Sequence, residues 1–141
     1  MLTLADVAAK CGKTAPVSMR VNPDVDAGTH PYISTGLREN KFGVDVETAR
    51  RLYQVAHDHR ALEPVAIDCH IGSQILDIAP FLESLDCLLT LIDELAAEGI
   101  TLRHIDIGGG LGVSYQENAP AIEEYMSCLL YTSDAADDLR C

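Results

Sequence analysis

Apolar runs of strand length alternate with amphipathic runs of helix length along most of this 141-residue chain. That alternation constrains the fold more than any single motif. Strand–helix–strand units of this spacing close as right-handed parallel crossovers. Residues 1–12 read as a short helix stopping at Gly12, with Leu4, Val7, Ala8 and Cys11 at helical spacing. Pro16 to Asn22 reads as a strand halted by Pro23. Residues 24–36, polar and carrying Gly28, Pro31 and Gly36, read as a loop long enough to be functional. Asp45 stands ahead of a periodic run with Thr48 three residues on, as a helix N-cap does. Val46, Ala49, Leu52, Tyr53 and Ala56 then form one apolar stripe, to about Arg60. Pro64 reads as a break, and Val65 to Ile71 as the next strand. Pro80 suits the first turn of a helix that Gly99 closes. Its expected buried face holds Phe81, Leu82, Leu85, Leu88, Leu89, Ile92, Leu95 and Ala96. Ile100 to Ile107 reads as the last strand. The expected class is α/β with a parallel sheet.

Two of these strands end in residues that carry chemistry. One runs Ile105-Asp106-Ile107-Gly108-Gly109-Gly110-Leu111-Gly112, the other Cys69-His70-Ile71-Gly72-Ser73-Gln74. Gly108, Gly109 and Gly110 would let backbone N–H groups close around a phosphate, since no Cβ blocks the approach. Ser73 could add a hydroxyl and His70 a flat imidazole. Parallel strands would put both ends on one side of the sheet, where α/β proteins build their sites. Each residue also has a plainer reading. On it the glycines serve only a tight turn, Ser73 a turn, His70 a core position and Arg20, at a strand end, a surface ion pair. A dinucleotide fingerprint fits poorly, because it needs G-x-G-x-x-G and the spacing here is G-G-G-x-G.

Five stretches in order carry a resemblance: Arg20-Val21-Asn22-Pro23-Asp24, Thr29 to Gly36, Asn40-Lys41-Phe42-Gly43, His70 to Gln74 and Asp106 to Gly110. Together, over about Thr14 to Pro120, they resemble the diaminopimelate decarboxylase family. The resemblance implies a pyridoxal 5'-phosphate cofactor and a barrel of the alanine-racemase-like group. It implies that Ser73, Gly108, Gly109 and Gly110 hold the phosphate, Gly110 foremost among the glycines, that His70 stacks on the cofactor ring, and that Arg20 joins the polar network beneath it. It implies a carboxy-lyase reaction, meso-diaminopimelate to L-lysine and carbon dioxide, in lysine biosynthesis, by a homodimer acting on a small amino-acid substrate. The family's Schiff-base lysine stands in an upstream motif with no match here. Lys41 is therefore expected to pair with an acidic group, with a dimer interface as one place for it, and His30 is given no definite role. The downstream Glu-Pro-Gly-Arg phosphate motif and the C-terminal β-domain are also unmatched, so the chain alone is expected to be inactive. Decarboxylases of ornithine, arginine or carboxynorspermidine are the related alternative. Ornithine enzymes tend to read Ser-Lys-Phe-Gly and His-Val-Gly-Ser-Gly at the corresponding motifs. A non-catalytic homologue that binds the cofactor is the other alternative.

A whole (β/α)8 TIM barrel needs about 200–250 residues. The expectation is therefore a partial barrel of about three consecutive βα units over residues 1–126. From Ser127 the chain reads Ser-Cys-Leu-Leu-Tyr-Thr-Ser-Asp-Ala-Ala-Asp-Asp-Leu-Arg-Cys, which looks like translated adapter read-through. Residues 127–141 are accordingly expected to be a non-native tail. The formal net charge of −12 argues against nucleic acid or an anionic membrane as partner. No apolar run is long enough to span a bilayer and no leader pattern opens the chain, so a cytoplasmic protein is expected. Five cysteines without a C-x-x-C pair point to reduced thiols and no metal site.

Overall fold

The computed structural model describes residues 1–26, 42–114 and 119–138, the last five for their backbone only. The Thr29-His30 loop and Lys41 lie outside the described residues, as does most of the 24–36 stretch. The described elements are α1 (Leu2–Lys10), β1 (Ala15–Asn22), β2 (Val44–Asp45), α2 (Val46–His57), β3 (Leu62–Asp68), α3 (Ala79–Ala97), β4 (His104–Asp106) and α4 (Ile122–Asp138). The strands form one parallel sheet in the order β2-β1-β3-β4. No described helix is long and apolar enough to cross a membrane.

Period-two alternation divides the sheet into two faces. Val17, Met19 and Val21 of β1 and Ile67 of β3, with Cys69 and Ile71 just beyond it, join one buried cluster. The same cluster takes Ala49, Tyr53 and Ala56 from α2 and Phe81, Leu85, Leu88, Leu89, Leu91, Ile92 and Leu95 from α3. The opposite face is polar. Arg20, Asp68 and Asp106 stand in one row across three strands. Ser18 Oγ donates to Asp68 Oδ1 at 2.7 Å.

Local chemistry accounts for the helix ends. The Asp45 carboxylate accepts from the Thr48 N–H at 2.8 Å and from its hydroxyl at 2.8 Å. The Thr48 bonds hold that carboxyl below its ordinary range. Pro80 occupies the first turn of α3, where a missing N–H costs nothing. Arg50 of α2 and Glu94 of α3 form an ion pair between the helices.

Four expectations are corrected. Pro64 does not break the chain; it lies inside β3, which starts at Leu62 and ends at Asp68 rather than Ile71. The pairing passes from Val17↔Pro64 to Ser18↔Ala66, leaving Val65 as an extra residue. A proline cannot donate to a ladder, so a bulge is where a strand tolerates one. The last strand is three residues, His104–Asp106, not Ile100 to Ile107. On α1, Ala5 and Ala8 are buried while Leu4 and Val7 point outward, because the helix lies against the sheet on its small side chains. On α3, Leu91 is buried and Ala96 is not; the covered face is wider on one flank than its spacing suggests. The last helix, α4, runs from Ile122 to Asp138 with Leu129 buried.

The bulge has a bridging group. The Tyr53 hydroxyl accepts from Met19 N at 3.3 Å and donates to Ala66 O at 2.7 Å, spanning β1 and β3 just past the shift in register. Burial raises the phenol well above its ordinary value, so it stays a donor across the physiological range. Tyr53→Phe keeps the ring packing but leaves the Met19 N–H without its acceptor. The expected cost is about 1–3 kcal/mol, measurable as a lower denaturant midpoint at unchanged slope.

Candidate functional site

The ends of β3 and β4 carry the site. The β3–β4 ladder stops at Asp68↔Asp106, with Cys69 N donating to Asp106 O at 2.9 Å. It resumes at one parallel bridge, Ile75↔Leu111. There Ile75 N donates to Gly110 O at 2.9 Å and Gly112 N to Ile75 O at 2.8 Å. Residues 69–74 and 107–110 therefore face one another between two pinned points. This brings together His70, Ser73, Gly108, Gly109 and Gly110.

The three glycines do different things. Gly108 has φ +71°, and a Cβ there would stand 2.7 Å from Cys69 O and 2.8 Å from His70 Nδ1. Gly110 has φ +108°, and a Cβ there would overlap the Gly72 carbonyl oxygen and lie 3.6 Å from Ser73 Cα. Both positions need glycine for their backbone conformation and for close approach to the neighbouring arm. Gly109 alone faces open space. The expected reason for glycine, room for a phosphate, thus applies best at Gly109. At Gly110 any side chain disturbs the packing of the two arms first.

The donors divide similarly. Gly108 N is already engaged by Asp106 Oδ1 at 2.7 Å. Among the described residues no acceptor meets the Gly109 and Gly110 amides. Ser73 is exposed beside Gly110. Arg20 reaches the same mouth from β1, donating through Nη2 to His70 O at 3.4 Å, with its guanidinium 5.5 Å from the centre of the Phe42 ring. Among the described residues its Nε is buried without a hydrogen-bond partner. Free amides beside a serine, an orphaned cationic N–H and a half-buried imidazole fit a ring that bears a phosphate. Cys69, the neighbour of His70, sits in the apolar cluster, and burial pushes its thiol up to about 12.

Three contributors carried no role in the sequence reading. Asp106 fixes the start of the glycine turn, and an Asp two residues before a glycine is a legible turn signal. Phe42 covers Arg20, which no local pattern announces. Gln74 closes both ends of its amide on Val113, a contact across 39 residues.

His70 is held below the ordinary histidine value, first by burial and then by the Arg20 cation, with Asp106 opposing. The neutral imidazole is thus favoured near pH 7. The unfolded chain takes up this proton first. The group's contribution to stability is full above the ordinary value near 6.5 and falls as pH drops beneath it. Arg20→Gln removes one of the two lowering causes. The His70 imidazole, followed by NMR titration, should then protonate at higher pH than in the unchanged protein.

A family model described as pyridoxal-dependent decarboxylase, pyridoxal binding domain, matches residues 1–137. The chain is 53% identical over 138 residues to a diaminopimelate decarboxylase of Vibrio cholerae, covering 97% of this chain and 33% of that protein. It is 56% identical over 119 residues to one of Pseudomonas aeruginosa, covering 84% and 29% respectively. A crystal structure of diaminopimelate decarboxylase from Helicobacter pylori, complexed with L-lysine, matches it with a TM-score of 0.90 at 42% identity. That match covers 94% of this chain and 34% of the other. The chain therefore spans about a third of the length of the curated relatives it matches. Its sheet is a section of a (β/α)8 barrel, as expected from the sequence. With its sheet, its glycine turn and its whole matched length in agreement, the chain belongs to the pyridoxal-dependent decarboxylase family, within the pyridoxal binding domain.

Proposed function

We propose that the protein to which this chain belongs removes a carboxylate from meso-diaminopimelate to give L-lysine and carbon dioxide. The observation that carries this is the pinning of the 69–74 and 107–110 arms side by side, which gathers His70, Ser73 and the glycine amides at one strand-end mouth. Relatives more than half identical over most of the chain bear the name of that enzyme.

Pyridoxal phosphate, when bound, supplies the electron sink for loss of a carboxylate from an amino acid. The chain's residues would hold and orient it. The amides of Gly109 and Gly110 and the Ser73 hydroxyl would take the phosphate, as charge-assisted donors. His70, neutral near pH 7, offers a flat face to a ring without adding a cation beside it. Arg20 Nε offers a donor to an acceptor on the bound group. Ile71, Gly72 and Cys69 are buried behind these groups and exclude water from that side. Lys41 is proposed to stand outside the cofactor chemistry, and the active protein to be a homodimer in the cytoplasm.

The full-length protein should turn over meso-diaminopimelate and leave ornithine and arginine essentially untouched, read as carbon dioxide release. Faster release from ornithine or arginine would overturn the substrate assignment. Lys41→Ala should keep the cofactor absorbance of the unchanged protein.

We also propose that residues 127–141 are foreign to the family segment. The support is the character of the run from Ser127, not its packing, since α4 and the family match both cross the boundary. Sequencing the parent reading frame should show divergence from this chain at about residue 127. A natural frame that continues through Cys141 would refute it.

A further inference from the structure

We propose that Gln74 is a positioning residue for the phosphate end of the cofactor site. The proposal rests on the cofactor part of the reading above and not on the substrate.

Gln74 is exposed, yet both ends of its side-chain amide are used. Nε2 donates to Val113 O at 2.7 Å, and Oε1 accepts from Val113 N at 3.3 Å. A side-chain amide here stands in for one rung of a strand. The next residue, Ile75, accepts from Gly112 N and donates to Gly110 O. Two consecutive residues therefore hold four backbone groups between positions 110 and 113. Gly110, the donor beside Ser73, sits at the near end of this clamp.

The backbone at Gln74 adds a second observation. Its φ is +58°, the left-handed region, where a residue with a Cβ is under strain. Glycine would relax that backbone. It would also remove the Gln74 half of the clamp. An outlier of this kind, with its side chain spent on a neighbouring loop, points to a site where geometry is held at the expense of local comfort.

The clamp acts selectively. His70 and Arg20 are carried by the ends of β3 and β1, and their places are set by the ladder below the mouth. The 110–113 arm is set by Gln74 and Ile75. Loosening it should blur the aim of the Gly109 and Gly110 amides relative to Ser73 while leaving the ring side alone. Donors already aimed at an anion lose less freedom on binding it.

The test compares pyridoxal 5'-phosphate with pyridoxal, which lacks the phosphate, in absorbance titrations of the full-length apoprotein. Gln74→Ala and Gln74→Gly should each weaken binding of the phosphorylated form about tenfold, the ordering that a loosened arm must undergo to take the phosphate, with pyridoxal binding nearly unchanged. Thermal unfolding of the Gln74→Gly apoprotein should occur close to the unchanged protein's midpoint, because the relaxed backbone offsets the two lost amide bonds. If Gln74→Ala fails to fold, Gln74→Gly decides. Equal weakening of both forms, or of neither, overturns the proposal. An unchanged protein that binds neither form overturns it together with the cofactor reading. One that holds the cofactor but prefers another amino acid leaves the tenfold ratio standing and removes only the substrate assignment.

Discussion

The register between β1 and β3 decides where the site falls. Both strands are long, and each carries its chemical residues at its C-terminal end, so a slip of one residue would turn Arg20 and His70 toward the helices. The pairing nevertheless contains a slip, at Val65, and the structure absorbs it early. Pro64 comes where the ladder can lose a donor, and the Tyr53 hydroxyl spans the strands immediately afterwards. Past that point Met19↔Ile67 and Arg20↔Asp68 run in regular register to the mouth. A helix side chain thus helps to correct a strand, and α2 contributes to the site without reaching it.

Much of this was legible in the sequence, for reasons that can be named. Local signals with one physical meaning survived intact: Asp45 and Thr48 as a cap, Pro80 in a first turn and the strand-end positions of His70 and the glycines. Signals that depend on a distant partner did not. Pro64 looks like a terminator until the bulge opposite Val17 is known. The outward Leu4 and Val7 of α1 show that periodicity identifies a stripe without saying which side is covered. β4 is shorter than its apolar run, because a strand is counted only where a neighbour pairs with it.

The site divides along the same line. That these residues meet was readable, because parallel strands put their C-terminal ends on one side of a sheet. Their division of labour was not. Gly108 and Gly110 are demanded by the opposing arm, whereas Gly109 is the open position, and that distinction exists only once residues 69–73 are placed beside them. Phe42 over Arg20 and Gln74 on Val113 are likewise contacts between segments separated by 22 and 39 residues.

The β3–β4 ladder has a gap between Asp68↔Asp106 and Ile75↔Leu111. Six residues on one side and four on the other are tied at both ends, by Cys69 to Asp106 below and by Ile75 to Gly110 and Gly112 above. A strand end normally frays, since nothing beyond it resists opening. Here the mouth is an eyelet rather than a frayed end, and its rim cannot part without breaking a bridge on the far side. The amides of Ile75 and Gly112 therefore belong to the same cooperative unit as the sheet. A surface that must offer bare N–H groups to a ligand can do so and still be rigid, because its stiffness is borrowed from hydrogen bonds on either side of it.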